Sequence, residues 1–412
     1  MIHAVFGLCV LLLLAFLCSE DRSRIPWRTV AAGVCLQLLC AALLLGIPAA
    51  TRALFVLNDA ATALHDATQA GTRFVFGYLA GPPLPFTEAQ PGSAYILAFD
   101  VLPLVLTISA IGSLLFHWGI LQRITDAFAW LLRRVLGIGG ALALGAAVHV
   151  FVGMVEAPLL VRPYLARMQR GELFALMSCG MAGVAGTVMI IYASFLSPLV
   201  PNALGNILIA SIISTPAALA VAALMVPFGP PDRTEARLVV ADPPVNAVDA
   251  LVKGTLDGIP ILAAILAMLL VAVALVTLIN MALGHLAWDG AAVTLQRIFA
   301  LPFRPVMWVV GVPWAETGTA ATLMATKTVL NEFVAYLNFS QMPPDAVSPR
   351  TRMILTYALC GFANFGSLGI MIGGLGAMVP ERRHEIVGLG LRSILSGTLA
   401  TCMSGAIAGA LV

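Results

Sequence analysis

Four side chains in one apolar stretch pose the first chemical question. From Gly311 to Phe339 the chain reads GVPWAETGTAATLMATKTVLNEFVAYLNF, apolar enough to enter a bilayer yet carrying Glu316, Lys327, Asn331 and Glu332. A charged group at mid-membrane costs roughly 2.5–3.5 kcal/mol on insertion scales, so it persists where a partner or a ligand holds it. The Gly, Pro and Thr residues upstream predict a segment that turns back instead of crossing straight. Non-helical backbone at that depth needs protein or a water-filled cavity around it, so Glu332 is expected to face a polar cavity within the membrane. Glu316 and Lys327 are expected to pair with each other inside this segment. A second stretch, Gly137 to Tyr164, has the same character: His149 and Glu156 interrupt it, and Ala157 and Pro158 follow the glutamate.

The elements that position these groups must be membrane helices. Of 412 residues, 60% are hydrophobic and 10% charged, where a soluble domain carries about 25% charged. The formal net charge of +2, with basic residues in short scattered clusters, offers no surface for nucleic acid. Seven cysteines (Cys9, Cys18, Cys35, Cys40, Cys179, Cys360, Cys402) lie in apolar runs with no CxxC pair, and read as small helix residues; no cofactor or metal is expected.

In chain order, an apolar run from Ile2 to Cys18 lacks a preceding positive charge and a small-residue cleavage site, and is expected to be a retained helix. A polar link leads to a span near Val30–Ile47, then a long, mostly uncharged connection reaches a third span from Leu97 to Trp118. Leu121–Leu136, with Arg123, Arg133 and Arg134, reads as an amphipathic helix at the membrane face. Spans near Leu173–Leu199 and Leu204–Pro227 follow the first odd segment, and the charged stretch Gly229–Lys253 separates two halves. Beyond it come a span near Ile259–Leu283, a surface segment with Arg297 and Arg304, the opening stretch, and spans near Met353–Met378 and Ile386–Val412. Cytoplasmic loops collect Arg and Lys. Placing the first link inside puts Arg22, Arg24, Arg28, Arg123, Arg133, Arg134, Arg162, Arg167, Arg170, Arg233, Arg237, Lys253, Arg382, Arg383 and Arg392 there, 15 of 22 basic residues, with both termini outside.

The two halves repeat. LMSCGMAGVAGTVM at Leu176–Met189 matches YALCGFANFGSLGI at Tyr357–Ile370, with Cys179 over Cys360, Gly180 over Gly361, Ala182 over Ala363 and Gly186 over Ser367. Each copy follows a segment bearing Glu156 or Glu332. If each odd segment re-enters, the copies have opposite orientations, which is the signature of a secondary transporter with its substrate at the midplane.

FVGMVEAPLLVRPYL at Phe151–Leu165, GVPWAETG, KTVLNEFVAY at Lys327–Tyr336, CGFANFGSLGIMIGGLGAMVPERR at Cys360–Arg383 and TLATCMSGAIAG resemble the concentrative nucleoside transporter family, over nearly the whole chain. The resemblance implies an all-α polytopic membrane protein with eight transmembrane helices, two re-entrant helical hairpins, inverted repeats with broken helices, a surface helix on each side, and a homotrimer in the cell inner membrane. It implies a division into 1–136 (scaffold helices and cytoplasmic surface helix), 137–228 (first hairpin and repeat), 229–300 (linker, scaffold helix, outer surface helix) and 301–412 (second hairpin and repeat). By resemblance Glu332, Asn364 and Ser367 take the ribose, whose vicinal hydroxyls suit a carboxylate and its polar neighbours. Glu156, Val188 and Phe362 would lie near the base, with Met154 and Val155 beside them.

The departures from the family pattern bear on specificity and coupling. Relatives that bind ordinary nucleosides read GQTEAP where this chain has Gly153-Met154-Val155-Glu156-Ala157-Pro158. Sodium-coupled relatives carry an asparagine, a hydroxyl residue and a serine where His149, Val155 and Gly183 stand, so the side-chain ligands of the sodium site are missing. Proton coupling is therefore expected, with His149, Glu156 and Glu332 as carriers to choose among; a histidine titrates near pH 6.5 when unperturbed. His149 could equally be a neutral residue filling the vacated site, and backbone carbonyls leave sodium open. Two other classes fare worse. No HExxH or GxSxG sequence supports an embedded enzyme, and a channel would want pore-lining rings instead of an asymmetric pocket.

Overall fold

The computed structural model describes residues 2–81, 83–87, 96–229, 243–288 and 290–411. Helices α1 (Ile2–Leu17) and α2 (Trp27–Gly46) open the fold, joined by a link in which the Asp21 side chain accepts from Ser23 N at 3.0 Å. The long connection expected next is instead the 29-residue helix α3 (Pro48–Phe76). Its opening proline costs nothing, because the first turn has no use for the missing N–H. Polar residues along α3, such as Thr68, Gln69 and Thr72, keep it out of a hydropathy-based reading; Gln69 Nε2 donates to Asp100 Oδ1 at 2.6 Å.

The third span is one apolar run, Leu97–His117, interrupted near Pro103 into α4 (Leu97–Asp100) and α5 (Leu104–His117). The amphipathic surface helix α6 (Ile120–Leu136) follows, bounded by Gly119 and Gly137. Both glycines sit in the left-handed region (φ 72° and 67°), which a Cβ would penalise.

The first odd segment folds as expected, into a bent hairpin: α7 (Gly140–Val148), a non-helical tip over 149–155, then α8 (Glu156–Leu160) and α9 (Arg162–Leu165). The next span breaks at its glycine-rich waist into α10 (Arg170–Ala182) and α11 (Gly186–Leu196). Helix α12 (Ala203–Met225) ends the first half. Of the linker, residues 230–242, with Arg233 and Arg237, lie outside the described residues.

The second half begins with α13 (Ala247–Leu283). A two-residue ladder, β1 (Ala287–Trp288) with β2 (Ala291–Ala292), leads to the surface helix α14 (Leu295–Val310). The second hairpin is α15 (Thr317–Val329) and α16 (Glu332–Ser340), broken at Leu330 and Asn331. Then come α17 (Pro349–Ala358), a break, α18 (Phe365–Met378) and α19 (Arg383–Leu411). Among the described residues, six helical stretches are long and apolar enough to cross a membrane, and the apolar helices His3–Leu17 and Phe365–Met378 are shorter.

Burial sorts these helices. The apolar window of α12 is 89% buried and that of α13 only 6%, so α12 is a central post and α13 an outer face packed on α5. Between apolar helices in lipid, close packing of small residues replaces the hydrophobic effect. Gly405 and Gly409, one turn apart on α19, supply such a surface: a Cβ at either would strike Ile354 of α17.

Charged residues from distant elements meet on one face. Arg170, opening α10, donates to Glu20 at 2.9 Å; Arg392 of α19 also donates to Glu20; and Arg382 pairs with Glu385 at 2.8 Å. The Arg170 hydrogen bond holds the Glu20 carboxyl below its ordinary value.

Candidate functional site

Four non-helical segments converge where the two halves meet. Gly186 N donates to Phe151 O at 3.0 Å, tying the first hairpin tip to the start of α11. Phe362 N donates to Gly183 O at 3.2 Å, tying the break after α17 to the break after α10. The second hairpin tip joins through side chains, with Asn364 Nδ2 donating to Glu332 Oε2 at 2.8 Å.

Glu332 is buried at the first position of α16, and its other oxygen accepts from the Tyr192 hydroxyl at 2.7 Å. Asn364 is fully buried and caps α18, its Oδ1 accepting from Ser367 N at 2.7 Å. Asn331 caps α16 in the same way, accepting from Val334 N at 2.9 Å. A carboxylate thus sits among the N-terminal ends of α16 and α18, where unsatisfied N–H groups favour negative charge. Glu332, Asn364 and Ser367, expected together from the sequence, are brought together. Tyr192 was not foreseen, because a tyrosine in an apolar run gives no sign of where its hydroxyl points. It anchors an aromatic cluster, with its ring 5.0 Å from Tyr336 and 6.0 Å from Phe333.

The first tip is different in kind. His149 follows α7 and is buried, and its Nε2 has no hydrogen-bond partner among the described residues. The ring lies over Gly180, where a Cβ would come within 3.2 Å of both His149 Cε1 and Met154 Cβ. Met154 is buried, and Val155 packs its methyls against Gly374 of α18. Glu156 opens α8, turns its carboxylate back over Gly153, and accepts no hydrogen bond from any described residue. Val188 is buried on α11 and Phe362 half-buried in the break.

Three positions of this tip and break carry no side-chain oxygen. His149, Val155 and Gly183 stand at this tip and break, and Phe151 O and Gly183 O already accept backbone hydrogen bonds.

The expected pairing of Glu316 with Lys327 does not occur. Glu316 Oε2 accepts from Ser348 N at 3.2 Å and Ser348 Oγ at 3.0 Å, whereas Lys327 Nζ donates to Ala358 O at 2.8 Å and lies 3.4 Å from Thr401 Oγ1. The two residues stand at opposite ends of α15, and 11 residues of helix at about 1.5 Å rise keep them roughly 16 Å apart.

Comparison with known proteins agrees with this architecture. Residues 206–409 match the family model "Na+ dependent nucleoside transporter C-terminus", residues 6–79 its N-terminus counterpart, and residues 98–199 a "Nucleoside recognition" model. An uncharacterized transporter of Haemophilus influenzae is 38% identical over 99% of this chain and 97% of its own length. The nucleoside permease NupC of Helicobacter pylori is 33% identical over 99% of this chain and 97% of its length. Among solved structures, CNTnw in an inward-facing substrate-bound state superposes with a TM-score of 0.88 at 36% identity, covering 100% of this chain and 97% of that one. The chain belongs to the concentrative nucleoside transporter family; it is a helical membrane transporter, not an enzyme.

Proposed function

We propose that this member of the family imports nucleosides or nucleoside-like solutes across the cell inner membrane by alternating access, driven by the proton and not by sodium. The observation that carries the coupling ion is the first tip: a buried imidazole with an unpartnered Nε2 stands where sodium coupling would need side-chain oxygens. His149 is our first choice as carrier, with Glu156 and Glu332 as the other two acceptors. Glu332, Asn364 and Ser367 hold the ribose, while Glu156, Val188, Phe362, Met154 and Val155 surround the base. With apolar side chains at Met154 and Val155, discrimination among bases is weak or shifted toward less polar ligands. The first three spans with α13 form the scaffold of a homotrimer, which the bare apolar face of α13 suits, and both termini face outward.

One observation favours sodium as a second reading: the matching family model is described as Na+ dependent, and carbonyls of the tip could supply oxygens. Uptake into proteoliposomes with choline in place of sodium and an inward proton gradient separates the two. Gradient-driven uptake without sodium is expected; strict sodium dependence with no response to the gradient overturns proton coupling.

A further inference from the structure

Lys327 is fully buried, yet no carboxylate of the described residues lies within ion-pair distance of it. The nearest glutamate along the chain, Glu332, is engaged with Tyr192 and Asn364, and Glu316, at the far end of α15, with Ser348. What the ammonium does meet is backbone. It lies in the last turn of α15 and donates to Ala358 O, the last residue of α17, at 2.8 Å. Thr401 of α19 stands 3.4 Å away, its hydroxyl donating onward to Thr398 O, which leaves a lone pair for the ammonium. The last carbonyls of a helix have no intrahelical donor and carry partial negative charge. Lys327 therefore sits where the negative ends of two half-helices come together, and six residues beyond Ala358 the chain reaches Asn364.

The first repeat has a corresponding arrangement with a different occupant. There α7 ends at Val148 and α10 at Ala182, and the group between the tip and the break is the neutral-capable ring of His149. One repeat carries a lysine ammonium at this place, and the other an imidazole that has no charge until it takes a proton.

We propose that Lys327 is the resident cation of the second repeat: its ammonium closes the negative ends of α15 and α17 and so positions the 359–364 break from which Asn364 reaches Glu332. Lys327 is a positioning residue, acting on substrate through Asn364. The proposal rests on the nucleoside-site reading but is independent of the coupling ion, so its test uses equilibrium binding in detergent, without any ion gradient.

Uridine and adenosine binding is measured on purified Lys327→Ala, Lys327→Met and Lys327→Arg. Loss of a charge-assisted contact predicts binding about tenfold to a hundredfold weaker in the Ala and Met variants. The Arg variant is expected to keep most of the affinity, because it keeps the charge. Ethylammonium added to Lys327→Ala restores binding, whereas ethanol, similar in size and neutral, does not. Lys327→Met binding as tightly as the parental protein overturns the proposal, as does a folded Ala variant indifferent to ethylammonium. Should the neutral variants aggregate on extraction, ethylammonium in the buffer decides: recovery of monodisperse Lys327→Ala supports the resident cation, and aggregation regardless overturns it. If no variant binds but the parental protein binds no nucleoside either, it is the substrate reading that fails.

Discussion

The two helix breaks are built on one plan and finished differently. In the second repeat, side chains do the finishing: Asn331 and Asn364 cap α16 and α18, and Glu332 lies among their N-terminal ends with Tyr192 and Asn364 on its two oxygens. In the first repeat α11 starts after Ala185 and α8 after Val155, neither with a side-chain cap. Backbone bonds hold that break, Gly186 N to Phe151 O and Phe362 N to Gly183 O. The difference teaches that a broken membrane helix can be held by its own backbone. Where that happens, the side chains at the break can vary without loosening it; where side chains hold the break, they cannot.

The strongest way to break this comparison is at Glu332. Glu332→Gln keeps the shape but gives up the anion that two donors and two helix ends surround, at roughly 1.5–3 kcal/mol per charge-assisted bond. We expect nucleoside uptake in proteoliposomes to be abolished while the protein remains monodisperse; uptake at the parental rate would remove Glu332 from the site.

Next in size is Asn364→Ala, which deletes a donor to Glu332 and the cap on Ser367 N together. Cap loss alone costs about 0.5–2 kcal/mol, so lower thermal stability and about tenfold weaker binding are expected. Asn364→Asp retains an acceptor for the cap but sets a second acidic group against Glu332. It should recover stability without recovering affinity, and equal recovery of both would show that the side chain only holds the break.

At the backbone-held break, Met154→Gln should be tolerated and should act on selectivity. A restored polar contact is expected to sharpen discrimination among bases by about 1–3 kcal/mol, the scale on which pockets distinguish small substituents. Competition assays with pyrimidine and purine nucleosides measure it, and an unchanged ranking would place Met154 away from the base.

The smallest effect lies away from both breaks, at Glu20. Its carboxyl is held below the ordinary 4.5, first by the hydrogen bond from Arg170. A depressed carboxylate contributes stability above its unfolded value and loses it as pH falls through the folded one. Glu20→Gln should therefore lower stability at neutral pH by about 1 kcal/mol or less for so exposed a pair, read as a lower melting temperature. The gap from the parental protein should close at acid pH; a constant gap would mean the loss is packing and not charge.

Much of this was legible from residue types. Apolar runs fixed the membrane environment, and the waist at Gly180–Gly186 and the run Cys360–Ser367 marked where helices break, because glycine and asparagine favour the non-helical backbone a break requires. The alignment of Cys179 with Cys360 gave the internal symmetry, and the family resemblance, not residue type, put Glu332, Asn364 and Ser367 in one group. The helix over Pro48–Phe76 stayed hidden, since its polar residues dilute the hydropathy that betrays other spans.

Sequence alone determined composition-level physics: which segments prefer lipid, where backbone must bend, and that a carboxylate buried at a bend needs donors. Only the tertiary structure decided which donors and acceptors those are. Tyr192 lies 140 residues from the glutamate it serves, and the backbone carbonyl that takes Lys327 belongs to Ala358, whose side chain carries no chemical signal at all. Proximity in sequence suggested Glu316 for Lys327, but a straight helix holds its two ends apart, and the partner of each charged group was set by which helix end packing brought beside it.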